Sequence, residues 1–189
     1  MLLAGMNSPV NSLKLIREHF AQISGLPCWN VHQGYGAFVT FEFGKPSLEV
    51  RAPRPNSKFL SSQRGRVLIR GTHHFWIEQC DWRVVDVETV VAASESSREI
   101  ISGALNRIAG HTLNGVKIVP EFGTCTFSFE HGIRFELERY ADFESDDPMW
   151  HLYCPDSVIS YLASGLIEYG SGELLTAPSI RCDNIQLEF

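Results

Sequence analysis

The sequence predicts an α+β fold. One domain spans residues 1–189, built from two tandem pseudo-repeated units, each a helix plus a mainly antiparallel sheet, sharing a core. Three observations predict it. Two amphipathic helical stretches end at Gly25 and Gly110, 85 residues apart. The alternating stretch FEFGKPSLEVR at 41–51 is echoed by FSFEHGIRFELERY at 127–140, with Phe41 and Phe127 86 residues apart. FWIEQCDWRVV at 75–85 parallels WHLYCPDSVIS at 150–160, setting Phe75 against Trp150 and Ile77 against Leu152. Period-two patterning makes any two hairpins alike, so one match carries little. Three matches in the same order favour a duplication, with units at 8–91 and 94–170 and a C-terminal segment at 171–189.

The first helix is expected over 9–24. Ser8 is placed to cap it, Pro9 suits its first position, and Leu13, Ile16, Phe20 and Ile23 share one face. Strands follow near 28–33, 36–43, 47–52, 66–70, 74–79 and 82–87. The second helix, over 96–109, opens on the capping box Ser96-x-x-Glu99 and carries the stripe Ile101, Leu105, Ile108. Its strands are expected near 113–119, 123–130, 133–140, 149–154, 157–163 and 166–169. Short consecutive strands with tight turns imply antiparallel pairing.

Composition narrows the function classes. A hydrophobic content of 44% supports a full core, and the net charge of −6 argues against nucleic acid as the main partner. The charge is unevenly spread: residues 1–110 balance at +3 and residues 111–189 at −9. The five cysteines, Cys28, Cys80, Cys125, Cys154 and Cys182, form no CxxC pair and no disulfide framework. The first residues lack a basic n-region, and no apolar run reaches the ~18 residues of a membrane span. The expectation is a cytoplasmic protein with no membrane association.

No catalytic constellation stands out. His151 and Cys154 are spaced to face opposite ways on a strand, as are His73 and His74, so neither pair suits a metal. No metal, cofactor or catalytic residue is expected. Trp76, Trp82, Trp150 and His151 are the candidates for an aromatic pocket wall, against the competing role of core packing. The two post-hairpin connections differ in sign. Residues 51–70 carry Arg51, Arg54, Lys58, Arg64, Arg66 and Arg70 with no acid, while Asp142, Glu144, Asp146 and Asp147 crowd the other with no base. Those four carboxylates are the candidate partner-binding residues, suited to a basic protein.

TFSFEHGIRFELERY, followed by MWHLYCPDSVISYLASGLIEYG, resembles a group of small bacterial proteins in its F-x-F strand, its turn and its W-x-L segment before P-D-x. The resemblance covers about residues 112–170 and extends to 26–87. Similar small acidic proteins include immunity proteins, which neutralise a toxin by binding it, and the resemblance transfers no catalytic residue. The function expected is a non-enzymatic protein-binding module, of which an immunity-type toxin inhibitor is one form. The alternative is a small-molecule-binding protein or enzyme with its pocket at the seam between the units.

Overall fold

A computed structural model describes residues 10–59, 63–141, 147–171, 180–181 and 184–189. The fold is mixed α+β, with two helices and antiparallel strands throughout the described residues. Helix α1 (Val10–Phe20) precedes β1 (Cys28–Gln33), β2 (Val39–Phe43), β3 (Ser47–Arg51), β4 (Arg66–Arg70), β5 (His73–Ile77), β6 (Asp81–Asp86) and β7 (Thr89–Ala93). Helix α2 (Arg98–Ile108) precedes β8 (Leu113–Val119), β9 (Thr124–Phe129), β10 (Ile133–Glu138), β11 (Pro148–Cys154), β12 (Ser157–Leu162), β13 (Leu166–Gly170), β14 (Ile180–Arg181) and β15 (Ile185–Glu188). The proposed cap at Ser8 and Pro9 lies outside the described residues.

The strands form a seven-stranded sheet in the order β1-β2-β5-β11-β12-β13-β14 and a six-stranded sheet in the order β15-β8-β9-β10-β6-β7. Alternation along each strand sends one set of side chains into the space between the sheets. Phe41, Phe75 and Trp150 come from the first sheet, and Phe127, Phe129 and Phe135 from the second, all buried. Phe41 stacks on Phe129 at 6.1 Å, and Phe75 meets Phe127 edge-on at 4.8 Å between ring centroids. Phe20 of α1 closes the cluster against Phe75, Phe127 and Trp150. Helix α2 packs on β1 of one sheet and β7 of the other, covering a gap between their edges. Beside it the Cys28 thiol donates to the Ile108 carbonyl at 3.1 Å, and burial pushes that thiol up to about 12.

Several expectations require correction. The stretch 41–51 does not form a hairpin like that at 127–140. Strand β2 pairs with β1 and β5, whereas β3 pairs only with β4 in a separate two-stranded ribbon. Of these two stretches only 127–140 forms a hairpin, β9 pairing with β10 through a turn at Glu130–Gly132, where His131 (φ 59°) and Gly132 (φ 78°) take the left-handed conformation. Ile77 and Leu152 do not hold equivalent places. They lie on adjacent, directly paired strands, with Ile77 opposite Trp150 and Phe75 opposite Leu152. The sequences look alike because both strands alternate against the same core. Helix α2 is capped by Ser97, whose hydroxyl accepts from the Ile100 amide, while the Ser96 hydroxyl accepts from Ala93. Strands β7, β14 and β15 lie outside the expected set. The turn before β7 passes through Val87 at φ 58°, a conformation that β-branched residues rarely adopt and that no turn motif announces.

Candidate functional site

Strand parity divides the expected pocket group. Trp82 and Trp150 point into the core and are buried. The Trp82 Nε1 donates to the Ala37 carbonyl at 2.6 Å, and Trp150 stacks on Tyr161 at 5.7 Å. Trp76 and His151 point the other way, onto the outer face of the seven-stranded sheet, where they are direct cross-strand partners with rings 6.0 Å apart. Of the acidic four, Asp142, Glu144 and Asp146 lie outside the described residues. Asp147 is half-buried, accepting from the Gln79 amide at 3.5 Å while its carbonyl accepts from the Ala163 amide.

The outer face of the seven-stranded sheet brings Glu42, Glu78 and Ser160, which the sequence does not single out, up to Arg70, His74 and His151. The Glu42 carboxylate is fully buried there. It accepts from Arg70 at 2.9 Å, from the Gly71 amide at 2.8 Å, and bonds His74 Nδ1 at 2.9 Å. Burial pushes its pKa up, but bonds from His74, Gly71 and Arg70 outweigh this and hold it below the ordinary carboxylate value. Next to it, His151 Nε2 stands 3.2 Å from Glu78 and Nδ1 stands 2.5 Å from the Ser160 hydroxyl. Acid, imidazole and hydroxyl thus follow the order of a hydrolytic triad. Ser160 is fully buried in mid-strand, so a substrate carbonyl has no route to its oxygen. The group locks β5, β11 and β12 together. Among the described residues, no three His, Cys, Asp or Glu side chains gather as metal ligands.

His73, one residue from this network, turns into the core. Its Nδ1 is buried with no hydrogen-bond partner among the described residues, and burial lowers its pKa below 6.5. The unfolded chain therefore takes up this proton first. The stability tied to neutral His73 is complete above about pH 6.5 and is lost as pH falls toward the folded value. His73→Leu should be near neutral at pH 7.5 and should reduce the drop in melting temperature between pH 7.5 and 5.5. An unchanged drop in scans at those two pH values would assign the acid sensitivity elsewhere.

The ribbon β3–β4 departs most from ordinary packing. Leu48 lies opposite Ile69, and Val50 opposite Val67, so all four aliphatic side chains share one face. They are 56–75% exposed. Single exposed aliphatics are normal, whereas these four form one contiguous apolar face. On the other face Glu49 binds Arg51 at 2.6 Å and Arg70 at 3.1 Å. Arg70 reaches on to Glu42, which ties the root of the ribbon to the sheet. Beyond β3, Arg54, Lys58, Arg64 and Arg66 are exposed, with no carboxylate partner among the described residues. The alternation over 47–52 and 66–70 predicts ordinary sheet strands, because it is that of a half-buried strand. The only local signal to the contrary was the cluster of bases around them.

A groove of about 580 Å³ opens on the outer face of the six-stranded sheet. Asp81, Glu95, Glu136 and Glu138 line it, with Arg83 the one cation among the described residues. Glu136 is engaged by Arg83 at 2.6 Å and Arg134 at 3.1 Å. Asp81 and Glu95 accept only from the Ser94 hydroxyl among the described residues, and Glu138 is exposed. No protein-family model, curated protein or solved structure matches this chain.

Proposed function

We propose that this chain is a protein-binding module, of the kind to which immunity-type inhibitors belong, and that it docks through the β3–β4 ribbon. One observation carries the reading: four aliphatic side chains stand exposed on one face of a ribbon that joins neither sheet. Burying such side chains against a partner is worth roughly 1.5–3 kcal/mol each when complete, enough to drive association. The surrounding bases select a partner that offers an apolar surface with an acidic rim. Affinity capture from the parent-cell lysate tests the proposal by comparing wild type with Leu48→Thr/Val50→Thr/Val67→Thr/Ile69→Thr. Threonine keeps the strand propensity and removes the apolar face. A protein retained by wild type should fall about tenfold or more in the variant, while the melting temperature stays within a few degrees. Equal capture by both chains would remove the ribbon from the docking surface.

A second reading places a small ligand on the outer face of the seven-stranded sheet. The half-exposed Trp76 and Tyr153, beside the Glu42–His74 and Glu78–His151 pairs, favour it.

We also infer an internal duplication, with equivalences set by strand register. Cys28 pairs with Phe43 as Leu113 pairs with Phe129, and each pairing is followed by a register shift. Phe41 pairs with Phe75 as Phe127 pairs with Phe135. Ile77 faces Trp150 as Leu137 faces Trp82. On this reading β1-β2-β5 corresponds to β8-β9-β10, β6 corresponds to β11, and the ribbon is an insertion in the first copy.

A further inference from the structure

We propose that the occupant of the ribbon is a second copy of this chain, with the ribbon of each copy seated in the acidic groove of the other. This rests on the docking role of the ribbon proposed above and names its partner. Residues 45–70 hold seven Lys and Arg against one Glu, a balance of +6, so the rest of the chain carries −12. Two such ribbons repel each other, which disfavours ribbon-to-ribbon pairing. A ribbon and the body of another copy attract.

The unpaired charges match in kind. Arg54, Lys58, Arg64 and Arg66 stand on the ribbon side, and Asp81, Glu95 and Glu138 line the groove without a cationic partner among the described residues. The ribbon cannot fill the groove of its own molecule. It leaves the seven-stranded sheet between β2 and β5, with its root held by Glu42 on that sheet's outer face. The groove opens on the outer face of the other sheet, with the whole core between them. Its five-residue strands extend about 17 Å, a reach suited to a neighbouring molecule.

Reciprocal exchange of this kind is isologous. Each copy gives a ribbon and receives one, so the assembly closes at two. The wall of the groove offers Ala93 and the methyl groups of Thr124 and Thr126 to the aliphatic face of the ribbon. The carboxylates around it meet Arg54, Lys58 and Arg64, which lie beyond the paired strands. Because these charges sit at the rim of the contact, the association weakens as salt screens them.

Light scattering on the eluting full chain, at 50 mM and 500 mM salt as chosen conditions, tests this. A dimer is expected at low salt, dissociating about tenfold more readily at high salt. Arg54→Glu/Arg64→Glu and Glu95→Lys/Glu138→Lys should each be monomeric at low salt. An equimolar mixture of the two variants should restore a dimer, because both ribbon–groove contacts of the mixed pair then join opposite charges. A wild-type chain that is monomeric at low salt overturns the proposal, as does a dimer that both charge variants retain. A monomeric wild type whose captured partner is still lost in the four-threonine variant removes the second copy and leaves docking to another protein in place. A monomer that binds heparin through the same arginines overturns it in favour of a polyanion.

Discussion

Phe75→Ala should destabilise the protein by roughly 3–5 kcal/mol, whereas Trp76→Ala, one residue further along, should cost about 1–2 kcal/mol. The larger side chain gives the smaller loss because of strand parity. Phe75 points between the sheets and is almost fully buried. Its ring lies 4.8 Å from Phe127, 5.6 Å from Phe41, 5.8 Å from Trp150 and 5.9 Å from Phe20. With rigid rings on several sides, the cavity left by alanine cannot collapse, and the loss belongs at the upper end of the range. Trp76 lies half-exposed on the outer face, against Phe38 and His151, and water already covers part of it. Urea titration should show the midpoint falling for both variants with an unchanged slope, and falling more for Phe75→Ala. Equal losses would mean that β5 does not present Phe75 to the core. The stability of a whole domain is typically about 5–15 kcal/mol, so Phe75→Ala removes a large share of it.

The parity behind that contrast was legible in the sequence, as were most strands and both helices. Alternation such as Phe127-Ser128-Phe129 and Phe135-Glu136-Leu137 reports directly which face is buried, and a bounded alternation fixes a strand. Pairing is another matter. Phe41 and Leu48 continue one alternating pattern, yet the chain breaks between them and sends β3 out to meet β4. A half-buried strand and a ribbon awaiting a partner have the same period, because both have one apolar face. The difference lies in what covers that face, which depends on the rest of the fold. The edge strand β7 is hidden in the sequence for a related reason: it follows a turn through Val87 that no glycine or asparagine marks. The polar network on the outer face was illegible for want of proximity. Glu42, Arg70 and His74 are spread over 32 residues, and only the pairing of β2 with β5 brings Glu42 opposite His74. The spacing of His151 and Cys154 speaks only to partners along one strand, and the partners of His151 are not on that strand. They lie across from it, at Ser160, and on the neighbouring segment, at Glu78.

Glu42→Leu should cost about 3–5 kcal/mol at neutral pH, a loss comparable to opening the aromatic core, although it leaves the volume nearly intact. The buried carboxylate accepts from three donors at once, and leucine accepts from none. The Gly71 amide would be left without its bond. That amide cannot simply turn toward water. Gly71 is wedged against the backbone of Phe43 and His73 so closely that even a Cβ would collide with both, and its position is therefore fixed. Arg70, a quarter exposed, would keep Glu49 as its one carboxylate among the described residues. His74 would lose its acidic partner, and the ribbon would lose the anchor at its root. Glu42→Gln separates charge from hydrogen bonding. It retains an acceptor for Gly71 and should cost about half as much, since the amide offers its partners weaker bonds than a carboxylate. The two variants also predict a pH dependence. In the folded protein the Glu42 carboxyl lies below its ordinary value of 4.5, so the unfolded chain binds this proton first as pH falls. The stabilisation it supplies is complete above about pH 4.5 and is lost as pH drops through the folded value. Both variants lack that titration. Their stability curves should therefore approach the wild-type curve below pH 4.5, with the gap widest near neutrality. Denaturation midpoints at pH 7.5 and at pH 3.5 decide the matter. A gap that stays constant across that range would assign the loss to packing around residue 42 and deny the buried carboxylate its role in holding the ribbon to the sheet.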